Sequence, residues 1–194
     1  MPLSPPMPRE KFHTRRITCE GYARLDGLWE VEAHMTDTKT YPIENRWRGA
    51  IEPGTPIHEM RLRVAFDETL TIREIEAATD NSPFEICPAI APKFAALIGL
   101  KMGSGFNRRV KEIMGGVHGC THLVEMLAPV ATVAFQTLAP GARRRHAELL
   151  GQPQPQPAQD REGVSFLDTC HAWARTSPVV KHFLPKHYVA AKED

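Results

Sequence analysis

The chain has 194 residues, 42% of them hydrophobic, enough for one real core and too apolar for a disordered polymer. Its 24 Lys and Arg stand against 23 Asp and Glu, a balance that offers no electrostatic reason for a nucleic-acid or membrane partner. No run of about 18 apolar residues is present and residues 1–8 hold no apolar signal region, so the expectation is a cytoplasmic protein with no membrane-spanning helix.

Residues 1–12, rich in proline, read as a flexible tail ahead of a core domain over 13–150. From Arg15 the pattern has period two: Ile17, Cys19, Gly21 and Ala23 alternate with Arg16, Thr18, Glu20, Tyr22 and Arg24. Asp26-Gly27 signals a hairpin turn, after which Trp29, Val31, Ala33 and Met35 take one face and Glu30, Glu32 and His34 the other. Residues 41–56 read as a loop or a short edge strand. A clearer strand starts near Ile57, with His58, Met60, Leu62, Val64 and Phe66 opposite Glu59, Arg61, Arg63 and Ala65. Asp67-Glu68 turns the chain into a fourth strand over residues 70–78.

After Pro83 the period becomes helical. Ile90, Phe94, Leu97 and Ile98 mark a helix ending at Gly99, and Phe106, Val110, Ile113 and Met114 a second one stopped by Gly115-Gly116. Leu123, Leu127, Val130, Ala134 and Leu138 mark a third, with Thr121 as its cap and a kink at Pro129. Strands first and helices afterwards predict an α+β fold: an antiparallel sheet of about four strands, then about three helices packed on one face. Residues 151–162 read as a Pro/Gln linker, and 163–194 as a segment too short to fold alone. That segment is expected to dock on the core through Phe166, Leu167, Trp173, Val179, Val180 and Phe183.

The four cysteines, Cys19, Cys87, Cys120 and Cys170, lie far apart; in a reducing compartment each is a buried thiol, a metal ligand or a nucleophile. By strand parity Cys19 belongs to the core. His58, Cys87, Cys120 and His122 all fall at predicted element ends, which a sheet with crossing helices can bring together. Thiolate with imidazole suits zinc or iron, one ion per chain. Cys120 and His122 reach one ion only if Cys120 precedes the first helical turn, because residues two apart on a helix diverge.

Glu59, His118 and His122 are the candidate general acids or bases, and Cys170 and His171 a candidate lid over the site. These features predict a small-molecule metalloenzyme of hydrolase or lyase type. A metal or iron–sulfur carrier is the first alternative. A cofactor-free enzyme or binding module with buried structural cysteines is the second; a metal-free nucleophilic Cys120 paired with His118 or His122 is a separate reading and ranks below the metal ones. Gly103-Ser104-Gly105 lacks the flanking strand and lysine of a phosphate loop.

Arg24-Leu25-Asp26-Gly27-Leu28-Trp29, Gly54-Thr55-Pro56-Ile57-His58-Glu59-Met60, Gly119-Cys120-Thr121-His122-Leu123 and Leu167-Asp168-Thr169-Cys170-His171-Ala172 resemble the motifs of domain-of-unknown-function family 2889. That resemblance covers most of the chain and implies no activity. In layout, the His58, Cys87 and Cys120 segments are also similar to the three ligand segments of NifU/IscU-type iron–sulfur scaffold proteins. There cysteine stands where this chain has His58, so the resemblance implies a shared geometry and a retained mononuclear ion.

Overall fold

In a computed structural model, residues 3–154 and 167–190 are described, and the chain divides into two compact units, Met1–Gln154 and Pro155–Asp194. Most of the expected linker, and Phe166 of the expected docking residues, fall outside the described residues.

The first unit is an α+β fold. Strands β1 (His13–Ala23), β2 (Trp29–Lys39), β5 (His58–Phe66) and β6 (Ile72–Asn81) form one antiparallel sheet in the order β1-β2-β5-β6. The expected loop between β2 and β5 holds a small hairpin of its own, β3 (Ile43–Asn45) paired with β4 (Gly49–Ile51). Asn45 makes that turn by accepting at Oδ1 from the backbone N–H groups of Trp47 and Arg48.

Alternation decides which face is buried. In β2 the residues Trp29, Val31, Ala33, Met35 and Asp37 are buried, while their neighbours are half-exposed. In β5 Met60, Leu62, Val64 and Phe66 are buried with His58 half-buried on the same face, and Ala65, expected opposite them, is buried as well beside the register shift at Ala65/Phe66. The register aligns them in rungs across three strands. Ala23–Trp29–Phe66 stands at one end, Cys19–Ala33–Leu62 and Ile17–Met35–Met60 in the middle, and Arg15–Asp37–His58 at the other end.

Helix α2 (Thr121–Thr137) lies on this inner face and buries Leu123, Met126, Leu127, Val130 and Ala134 against it. Each of the four larger side chains contributes about 1.5–3 kcal/mol by leaving water. Gly21 marks the closest approach: a Cβ there would lie 1.9 Å from Thr137 Oγ1, so no larger residue lets the helix end settle on β1. Helix α2 runs unbroken through Pro129, and its cap is Cys120 rather than Thr121. Helix α1 (Phe106–Met114) matches its expected span and packs on α2.

The first expected helix is a 3₁₀ helix, Cys87–Leu97, packed beside β6. Pro88 and Pro92 cannot donate the backbone bonds that an α-helix needs, and the tighter winding results. Helix α3 (Pro140–Leu149), which the sequence periodicity does not announce, follows α2 after a bend of 72°. Its buried His146 reaches the Arg24 carbonyl at 2.7 Å and packs edge-on against Trp29.

The second unit contains α4 (Pro178–Phe183), capped by Ser177, whose Oγ accepts from the Val180 N–H at 3.2 Å. Cys170 and His171 belong to this unit, at the start of a short 3₁₀ turn.

Candidate metal centre

The last rung of the inner face replaces hydrophobic residues with Arg15, Asp37 and His58, each the regular continuation of its strand's inward alternation. Helix α2 starts above it. A helical side chain leans towards the N-terminus of its helix, and His122, second residue of α2, comes down over the rung. Glu125, one turn later, reaches the same place and pairs with Arg15 Nη1.

Asp37 organises the group. Its side chain is only 2% exposed, and Arg15 grips it with two parallel bonds, Nε to Oδ1 at 2.8 Å and Nη2 to Oδ2 at 2.7 Å. His13 Nε2 lies 3.2 Å from Oδ1, and His58 Nδ1 lies 3.1 Å from Oδ2. His122 Nε2 stands 4.0 Å from Oδ2, and the His58 and His122 rings face each other with centroids 3.9 Å apart.

Burial pushes the Asp37 carboxyl up, but the Arg15 hydrogen bonds and charge, with His58 and His13 adding to them, hold it below the usual carboxylate range. Burial also pushes His58 down, and the neighbouring His122 pushes it further, against the opposing pull of Asp37. His122 is lowered in the same way, by burial first and by Arg15 second. An ionised carboxylate thus faces two imidazoles that are neutral at physiological pH, the protonation state in which all three bind cations.

One ligand atom from each of Asp37, His58 and His122 lies within 4.8 Å of the other two. An ion bonding at about 2.0–2.1 Å in a tetrahedron needs ligand atoms roughly 3.3 Å apart. The separations of 3.1 and 4.0 Å around Oδ2 bracket that spacing and the third lies within 4.8 Å, so these three groups could hold a metal ion.

Of the residues singled out from sequence, the structure brings His58 and His122 together. Neither Cys87 nor Cys120 belongs to the group. Cys120 sits at the N-cap of α2 with its side chain packed against the core cluster, and Cys87 opens the 3₁₀ helix beside β6. Glu59 follows His58 directly, so the strand pleat turns it to the opposite face, where it meets His34 Nε2 at 3.0 Å and Asn81 Nδ2 at 2.8 Å. His118 is exposed in the turn Gly116–His118, beside Lys93 and Ile113.

Asp37, Arg15, His13 and Glu125 complete the site without having been singled out from sequence. The signal for the first three is the same alternation, extended one step beyond Ile17 and Met35 to Arg15 and Asp37, and a second step on β1 to His13, residues that break its hydrophobic character. Glu125 follows from the spacing of three from His122.

Residues 13–136 match the family model described as a protein of unknown function (DUF2889), a span that takes in the whole sheet and nearly all of α2. No curated protein and no solved structure matches the chain. The chain belongs to the DUF2889 family.

Proposed function

We propose that this member of the DUF2889 family is a metal-dependent enzyme acting on a small molecule, of hydrolase or lyase type, with one zinc or iron ion held by Asp37, His58 and His122. The observation that carries this reading is the convergence of one buried carboxylate and two neutral imidazoles at the end of a hydrophobic face. Buried charge is costly unless it has work or partners, and a cluster of perturbed groups at a sheet end is the usual place for chemistry.

A bound ion would supply Lewis acidity and a hydroxide at neutral pH. The chain's own residues do the rest. Arg15 fixes the Asp37 carboxylate in one orientation, and the hydrophobic rungs beneath exclude water from one side of the site. His13, on Asp37 Oδ1 and outside the ligand set, is placed to hold or move a proton at its Nε2.

Elemental analysis of protein purified without a metal-affinity tag tests the proposal. About one zinc or iron per chain is expected by the coordination chemistry. It should be lost in a His58→Ala/His122→Ala variant and kept in a Cys87→Ala/Cys120→Ala variant. Wild-type protein that is folded, metal-free and unable to take up either ion would overturn it.

The Asp37–His58 hydrogen bond favours a second reading, a metal-free acid–base dyad in which Asp37 orients the imidazole. Activity that survives exhaustive chelation but not His58→Ala would select it.

A further inference from the structure

We propose that Arg15 is the receptor for a substrate carboxylate, and that its engagement tightens metal binding at Asp37. This rests on the metal reading above and adds to it the class of substrate and the order of events.

The argument starts from the hydrogen bonds of Asp37. A carboxylate offers about four acceptor positions. Arg15 uses two of them, His13 meets Oδ1 and His58 meets Oδ2, so the carboxylate is saturated by its own neighbours. An ion held by His58 and Asp37 would displace the proton that His58 shares with Asp37 Oδ2, while the Arg15 cation sits 2.7 Å from that oxygen. Two cations then share one buried carboxylate. Their repulsion is little screened there, and Arg15 opposes the ion.

Arg15 has room for another anion. Of its five N–H donors, two point at Asp37 and one at Glu125, which leaves two without a partner among the described residues. Its side chain is 32% exposed, so those donors are not sealed in the core. Lys39 stands one rung further along β2 on the same face parity, paired with His13 in the register, with its ammonium over the Tyr41 ring. A carboxylate arriving at this end of the site meets the two remaining N–H donors of a guanidinium whose Nε/Nη2 fork already holds Asp37. Once bound, it draws Arg15 charge away from Asp37 and offsets the repulsion felt by the ion. The two ligands therefore bind cooperatively, and by linkage each raises the affinity of the other by the same factor.

The experiment is a Zn²⁺ titration of the full chain against a chromophoric chelator, with excess benzoate, with excess benzamide, and with neither. Benzoate is expected to tighten Zn²⁺ binding on the order of tenfold, within the usual range of coupling between sites, and the uncharged benzamide to do nothing. Arg15→Met should bind Zn²⁺ more tightly than wild type and lose the benzoate effect. Glu125→Gln, at a half-exposed position, should loosen Zn²⁺ and enlarge the benzoate effect, and it decides the matter if Arg15→Met fails to fold by circular dichroism. Benzoate and benzamide acting alike, or a folded Arg15→Met that binds Zn²⁺ more weakly, would overturn the role of Arg15 while leaving the metal site standing. No Zn²⁺ bound under any condition would remove both proposals together.

Discussion

The two faces of the sheet both carry charges paired across strands, and they differ in what surrounds those charges. On the outer face Arg63 meets Glu32 at 2.8 Å and Glu76 at 3.3 Å, while Arg24 meets Glu30 and Glu74. Glu76 is 73% exposed there and Arg63 53%, so water solvates both whether or not they pair, while Glu30 is only 16% exposed. On the inner face the same residue types form the rung Arg15–Asp37–His58, with an Asp37 that is 2% exposed. Without water its charge depends on Arg15, His13 and His58, and burial takes from His58 and His122 part of their ordinary basicity. Burial, more than residue type, separates a solvated lattice from a candidate reaction centre.

Substitution at Asp37 should break this contrast most severely. Asp37→Ala removes the carboxylate that Arg15, His13 and His58 share, leaves Arg15 with Glu125, and is expected to destabilise the first unit by about 1–3 kcal/mol, measured by urea unfolding, with loss of bound metal. A variant as stable as wild type would place the inner rung in the same energetic class as the outer lattice.

His58→Ala and His122→Ala should each abolish stoichiometric metal at a stability cost of about 1 kcal/mol, the worth of an ordinary hydrogen bond. Retention of metal in either variant would remove that histidine from the ligand set.

Acid sharpens the comparison further. His58 and His122 have folded-state pKa values below 6.5, so the unfolded chain binds more protons as pH falls through that value. Stability of the metal-free protein is therefore full above about pH 6.5, the ordinary histidine value, and declines as the pH drops towards the lowered folded values. Asp37, also depressed, contributes stability above its unfolded value near 3.8 and loses it as pH falls through the folded one. The two losses should appear as separate steps in melting temperature against pH, and His58→Ala/His122→Ala should erase the upper step alone.

The outer face should show the smallest effects. Arg63→Ala is expected to cost under about 1 kcal/mol, and less at high salt. Glu59→Gln should leave metal content unchanged, since Glu59 serves His34 and Asn81 on the far side of the sheet. Loss of metal in Glu59→Gln would mean that the two faces are coupled through β5.

Much of this fold can be read directly from the residues. Alternation from Ile17 to Ala23, from Trp29 to Met35 and from His58 to Phe66 specifies strands and their buried face, because a slip of one residue would expose the whole hydrophobic set. The helical spacing of Leu123, Leu127, Val130 and Ala134 does the same for α2. Helix α3 is less legible, since its charged run Arg143-Arg144-Arg145 masks a short buried stripe that includes His146 and Ala147. The 3₁₀ winding of Cys87–Leu97 follows from Pro88 and Pro92 only once the helix is known to pack beside β6.

The candidate site divides in the same way. Local pattern placed His58 on the inner face and His122 at the start of α2, since both facts depend on periods of a few residues. Membership of the site depends instead on strand register and on where α2 crosses the sheet. Those long-range choices set Asp37 between Arg15 and His58, and left Cys87 and Cys120 out of the group although both stand at element ends as expected. Chain neighbours report which way a side chain faces; only the packing of distant segments reports what it faces.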